Sequence, residues 1–417
     1  MKVTFKLAMF LLTVCAATDA QVVPEATGPG GPQVSGNLHY AVRYSQTAEF
    51  GGGLGDWQTA SASADAGYTN SNARLPFSLN YSGGYSWTIA GPSYSTGFFQ
   101  HLSLSQGVVW RKWNVMASDD VSYLPQAPTT GFSGIPGVGD PIGTPSPSPP
   151  STQSVLTLKT PSVSNTANGE LGHSLDSATT LSVGASSGLL RYPDGNGLDT
   201  DSLTAHAGLT RRLNARNSLS GQYMYSHSSY PDWGVSFGTN AALFSYNRQW
   251  TRRLGTNVGA GPEWIESSDS ACASSSTACV PNSTRFSGNA GVNYQMRFGS
   301  ASLIYSHGIN GGAGSLFGAE FDTAGANYSR EFDKNLTVGF TGSYMRTAGL
   351  DNNGVTNGKY GGIQASRRFG RYMSVFANYT AMDQSSSSTL FTNALSGLTQ
   401  VIGFGIGYSP QETHLRH

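Results

Sequence analysis

From Leu38 to Tyr408 the chain alternates apolar and polar residues with a period of two. Leu38, Tyr40, Val42 and Tyr44 share one face of an extended segment, while His39, Ala41 and Arg43 share the other. The pattern repeats with Phe77, Leu79 and Tyr81 against Ser78, Asn80 and Ser82. It recurs with Leu336, Val338 and Phe340 against Thr337, Gly339 and Thr341, and again in Ile402-Gly-Phe-Gly-Ile-Gly-Tyr408. Strict alternation predicts half-buried β-strands, and helical spacing is missing throughout. The second face carries Ser, Thr, Asn and Gly rather than a second apolar set. A packed sandwich would need that second set; a sheet between lipid and water would not.

The links between these runs supply a strand count. Short ones fall near Asn70 to Leu75, Arg111-Lys112, Asp176 to Thr179, Arg211 to Asn217, Thr251 to Arg253, Phe298 to Ser300, Phe332 to Asn335 and Phe369 to Arg371. Longer links rich in Ser, Gly, Asn, Asp and Pro separate them. Eight short turns join 16 strands, and one further strand at each end makes 18. The expected fold is therefore an all-β transmembrane antiparallel barrel of about 18 strands, with short periplasmic turns and long extracellular loops. Sixteen is the alternative, because Ser154 to Leu175 is weakly patterned.

The start of the chain fits that destination. Lys2 and Lys6 precede the apolar run Leu7 to Ala17, which ends in small residues near Ala20. That is the layout of a secretory signal, and the run is too short for a spanning helix. Cys15 leaves lipoprotein processing as an alternative. The expected divisions are a signal peptide at 1–20, a flexible lead-in at 21–36, the barrel at 37–409 and a tail at 410–417. Removal of the signal leaves Cys272 and Cys279 in a polar loop, where a disulfide is expected in an exported protein; no His or further Cys is nearby to suggest a metal site.

Composition changes little and excludes much. Gly contributes 53 of 417 residues and charged residues only 12%, about half the charge of an ordinary soluble domain. Aromatic content of 11% argues against disorder. The formal charge is zero and no basic tract points to nucleic acid.

Two loops carry a family resemblance. Asp119-Asp-Val-Ser-Tyr-Leu-Pro-Gln-Ala-Pro-Thr-Thr-Gly-Phe-Ser-Gly-Ile-Pro-Gly-Val-Gly-Asp140 and Arg191-Tyr-Pro-Asp-Gly-Asn-Gly-Leu-Asp199 resemble stretches of porin-like outer-membrane β-barrel proteins, a largely uncharacterised family. The resemblance implies a barrel in the bacterial outer membrane, in contact with lipid and inserted by the barrel-assembly machinery. Such barrels usually end on an aromatic residue. Here Tyr408 is followed by nine more residues, so Phe404 and Tyr408 are left to serve as that signal.

Candidate chemistry is sparse. The longest connection, Tyr123 to Pro161, is expected either to fold into the barrel and narrow it, through Pro125, Thr129, Phe132, Ile135 and Asp140, or to remain an external loop. Charges expected in the lumen are Arg43, Asp65, Asp120, Glu170 and Glu263, with His39 beside them. Gly184-Ala-Ser-Ser-Gly188 matches a serine-hydrolase pattern but falls inside an expected strand, whereas that chemistry needs a strand-turn-helix elbow. Asp194 to Asp201 could offer oxygens to Ca²⁺ but lacks the EF-hand spacing, and a Gly/Asn/Asp turn explains it. Six of the seven tryptophans, Trp57, Trp87, Trp110, Trp113, Trp250 and Trp264, are expected mostly at the membrane boundary. No enzyme, cofactor or metal is indicated. The expected function is passive diffusion of small, mainly neutral polar solutes, with a structural or export role as the alternative; a homo-oligomer fits either.

Overall fold

The computed structural model describes residues 35–51, 56–70, 72–91, 96–125, 161–267, 280–312, 316–351, 354–387, 397–410 and 413–416. The signal segment, Thr129, Phe132, Ile135, Asp140 and both Cys272 and Cys279 lie outside the described residues.

Each alternating run forms a strand. In chain order they are β1 (Ser35–Gly51), β2 (Trp57–Asn70), β3 (Phe77–Ala90), β4 (Gly97–Trp110), β5 (Trp113–Leu124) and β6 (Ser162–Ser174). Next come β7 (Thr179–Arg191), β8 (Thr200–Asn214), β9 (Asn217–Tyr230), β10 (Val235–Gln249), β11 (Leu254–Ser267) and β12 (Ser283–Met296). The last are β13 (Gly299–Asn310), β14 (Ala319–Glu331), β15 (Leu336–Gly349), β16 (Val355–Phe369), β17 (Met373–Ser386), β18 (Gly397–Tyr408) and the short β19 (Thr413–Arg416). Every strand from β1 to β18 pairs antiparallel with its sequence neighbours. β1 also pairs with β18, Val42–Gly51 lying against Thr399–Tyr408, which closes an 18-strand barrel. β19 then continues along the lower part of β1, after Pro410 has interrupted the ladder. Proline has no N–H to donate at such a point.

The closed ring satisfies backbone groups without an edge, which a bilayer demands of any sheet. The weakly patterned stretch contributes β6, giving 18 rather than 16.

Alternation sorts the side chains into two environments. Tyr40, Val42, Phe98, Leu102, Leu203, Val258, Leu303 and Phe404 stand exposed on the outer surface. Exposed apolar area on that scale belongs against lipid, since monomeric soluble proteins rarely show it. At the rim of short turns Trp110, Trp250, Phe298, Phe332 and Phe369 are exposed. The guanidinium groups of Arg248 and Arg330 lie 3.7 and 5.2 Å from the ring centres of Trp250 and Phe332. Rings and arginines together suit a headgroup boundary, where the apolar body and the charged tip each find a matching layer. Trp57 departs from the expected girdle. It is 6% exposed and pairs with Glu49 on the inner face, because β2 begins there with its odd-numbered side chains pointing inward.

Among the described residues, buried apolar side chains form two clusters: a small one of Phe99 and Leu124, and a larger one at the mouth on the long-loop side. The larger contains Leu198, Tyr230, Val235, Phe237, Ile265, Val280, Phe317 and Leu350. The connection between β13 and β14 enters this cluster, with Leu316 and Phe317 almost fully buried.

Candidate functional site in the barrel lumen

The inner face is built from cross-strand pairs. Arg43 Nη2 lies 3.0 Å from Asp65 Oδ1, across the β1–β2 ladder. Their side chains are only 10% and 18% exposed, so the two charges largely neutralise each other within the wall. His39 lies on the same face, its ring laid over Gly67. On β4 and β5, His101 Nε2 stands 3.7 Å from Asp120 Oδ1. On β6 and β8, Glu170 and His206 flank Gly184 in one cross-strand row, near enough to interact electrostatically. Hydroxyls fill the spaces between the charges. Ser45 pairs with Ser61 at 2.7 Å, Thr47 with Thr59 at 2.6 Å, Ser78 with Ser105 at 2.8 Å and Ser122 with Ser164 at 2.7 Å.

Glu263 differs from the other acids. It faces inward on β11, opposite Arg285, but is 2% exposed. The Ser287 and Thr239 hydroxyls and the Ile309 amide hold its carboxylate, and its Oε2 has no hydrogen-bond partner. It stands two residues before Ile265, a member of the mouth cluster that the β13–β14 connection enters. There the Tyr230 hydroxyl donates to the Gly311 carbonyl at 2.8 Å and accepts from the Gly318 amide at 2.7 Å. Phe317 meets the rings of Tyr230 and Trp233 edge-on, at 5.2 and 5.3 Å between centroids. Gly318 sits at φ +71°, and a Cβ there would fall 2.7 Å from Phe237 and 2.9 Å from Leu350. Only glycine meets both demands. Strands β10, β11 and β12 separate β9 from β13 along the wall, so a contact between Tyr230 and Gly311 requires the connection to lean inward over the mouth.

The acidic turn after β7 is internally paired. Arg191 bridges to Asp199 at 3.6 Å and to Asp201 at 2.5 Å, and the Tyr192 amide donates to Asp199. Burial pushes the Tyr192 phenol above its ordinary pKa, and Asp199 adds to the effect. With Asp199 and Asp201 engaged by arginine, this turn is a poor cation ligand. Gly184 to Gly188 lies wholly within β7, with Ser186 inward and Ser187 outward by register, and no elbow lifts a serine. Among the described residues no group of three or more His, Cys, Asp or Glu side chains could hold a metal ion.

The chain is similar, at low identity, to several solved structures. Acinetobacter baumannii OccAB4 is 8% identical, the match covering 93% of this chain and 100% of that one at a TM-score of 0.47. Pseudomonas aeruginosa OccK2 (OpdF) is 12% identical, over 90% and 97%, with a TM-score of 0.48. The Pseudomonas aeruginosa outer membrane protein OpdK is 10% identical, over 91% and 99%, with a TM-score of 0.45. No family model and no curated protein matches the chain.

The six charged or imidazole side chains singled out from sequence, His39, Arg43, Asp65, Asp120, Glu170 and Glu263, all stand on the inner face by register. The structure brings Arg43 and Asp65 together with His39 and sets Glu263 apart under the mouth. Of the residues proposed for the long β5–β6 connection, Pro125 is described, packed 3.2 Å from the Cβ position of Gly97. Sequence reasoning missed the inward β13–β14 connection. Its signal was Leu316-Phe317 inside an otherwise glycine-rich link, Gly311-Gly-Ala-Gly-Ser-Leu-Phe-Gly318. Two large apolar residues in a loop need something to pack on.

Proposed function

We infer that this protein is a channel of the bacterial outer membrane, passing small and mainly neutral polar solutes by passive diffusion. One observation carries the reading: the ring is closed, and its inner wall is rich in hydroxyls and amides and sparing in charges, with Arg43 paired to Asp65. A barrel of 16 to 18 strands is wide enough for an aqueous lumen. Selectivity in such a lumen follows from radius and lining groups rather than bond chemistry. A wall with few charges produces a weak field, so neither ion sign is favoured strongly and neutral solutes meet little electrostatic barrier.

The inward β13–β14 connection and the long β5–β6 connection, including Pro125 to Asp140, are the elements that set the narrowest opening in this reading. The lipid-facing exterior supports membrane insertion by the assembly route that outer-membrane barrels use. The test is reconstitution of the full chain in planar bilayers and liposomes. Stepwise conductance with a reversal potential near zero in a KCl gradient, together with liposome swelling in a neutral sugar, is the expected result. Silence in both assays, or strong preference for one ion sign, overturns the proposal.

A further inference from the structure

The two sides of the lumen treat their polar groups differently. Along β1 to β6 the hydroxyls bond one another, and Arg43 pairs with Asp65. Along β10 to β12 the inner face carries Asn247, Asn257 and Asn289 with Ser245, and these side chains make no side-chain hydrogen bonds among the described residues. The register sets each of two amides against a glycine: Asn257 opposite Gly291, and Asn289 opposite Gly259. A Cβ on Gly291 would collide with Asn257 Oδ1. A Cβ on Gly259 would collide with Asn289 Oδ1 and lie 2.6 Å from Ser245 Oγ. Both amides therefore lie flat on bare backbone, with their polar atoms along the wall, and two oxygens converge over Gly259.

An amide offers two donors and an acceptor, and a hydroxyl offers both roles. A flat array of such groups, uncharged and without protein partners, matches the vicinal hydroxyls of a sugar. Each amide can donate to one hydroxyl while its oxygen accepts from the next. Ions gain little there, because the local wall carries no charge. The glycines are part of the arrangement, since only a residue without Cβ leaves the amides flat and the lumen wide.

We propose that Asn247, Asn257, Asn289 and Ser245 form a contact site for neutral polyhydroxylated solutes, and that Gly259 and Gly291 set the free width of the lumen beside it. The proposal rests on the channel reading above and names a binding site within that lumen.

The experiment is single-channel recording of the full-length protein in KCl with sucrose added to one side. Sucrose produces brief interruptions of the current. In the double variant Asn257→Ala/Asn289→Ala the interruptions shorten by about fivefold per amide lost. Gly291→Ala lowers KCl conductance, because Asn257 is lifted off the wall, and adding Asn257→Ala to it restores conductance. Heat-dependent migration on SDS gels identifies variants that fold; for one that does not, Asn257→Ser and Asn289→Ser take its place. An open channel whose sucrose interruptions are unchanged in the amide variants overturns the site. Equal conductance in Gly291→Ala and wild type overturns the role of the glycines. A wild-type protein that passes no current overturns the channel reading, and the site with it.

Discussion

Tyr230→Phe removes one oxygen atom and tests how the β13–β14 connection is held. The Tyr230 ring is fully buried and its hydroxyl makes two hydrogen bonds, to Gly311 and from Gly318. Phenylalanine keeps the edge-on contact with Phe317 and fills the same space, so packing is preserved. What is lost is the pair of hydrogen bonds, and the Gly318 N–H and Gly311 C=O are left facing an apolar ring. A net hydrogen bond contributes about 0.5–1.5 kcal/mol, and a stranded buried group costs about 1–3 kcal/mol. Together these weaken the docked connection by about 2–4 kcal/mol, which multiplies the undocked population about 30- to 1000-fold. Single-channel traces should then show frequent steps to a higher conductance level that is rare in wild type. Protease cleavage within 311–318 on intact proteoliposomes should accelerate in parallel. Traces and cleavage rates matching wild type would refute the claim that the Tyr230 hydroxyl fastens this connection.

Four further outcomes are expected. Phe317→Ala, which removes the ring packed on Tyr230 and Trp233, should weaken docking by about 3–5 kcal/mol and give longer high-conductance dwells than Tyr230→Phe. Asp65→Asn leaves Arg43 uncompensated in the wall; the reversal potential in a KCl gradient should move toward the chloride value, with about 1–3 kcal/mol lost from stability because lumen water reaches the site. Asp119 points outward on β5 by register and takes a 2.7 Å hydrogen bond from Asn165; it stands six positions from the rim residue Trp113, about 15 Å into the apolar band. Asp119→Leu should therefore stabilise the barrel in lipid by about 1–2 kcal/mol, read as a higher urea midpoint. In the β6–β7 turn the Ala178 amide, with further help from Thr179, holds the Asp176 carboxylate below its ordinary pKa. Its contribution to the turn is present above the unfolded carboxylate range and is lost as pH falls through the lowered value. An NMR titration midpoint at or above the usual Asp value would contradict this.

The barrel was legible because its rule is local. Tyr40, Val42 and Tyr44 announce an outer face within a few residues, and Arg111-Lys112 marks a hairpin by itself. The Arg43–Asp65 pair was not legible as a pair. Arg43 lies opposite Ser63 and Asp65 opposite Ala41, so the contact is diagonal and depends on a register that neither strand specifies alone. Trp57 and Trp264 look alike in sequence as strand-end tryptophans, yet one turns inward and the other faces outward. A single position of register decides between lipid and lumen. The mouth cluster was hidden for a further reason. Tyr230 ends β9, while Phe317 and Leu350 come from two separate connections, and nothing in any one of these segments names the other two.

The seam between β1 and β18 also bears on how long the protein lasts. Because β1 is bonded on both sides, no strand can peel away by losing a single ladder, and the first opening event must break a long ladder almost at once. Survival in detergent then becomes a matter of rate rather than equilibrium. The folded band should persist in SDS at room temperature and vanish only on boiling, with a half-life set by that one seam.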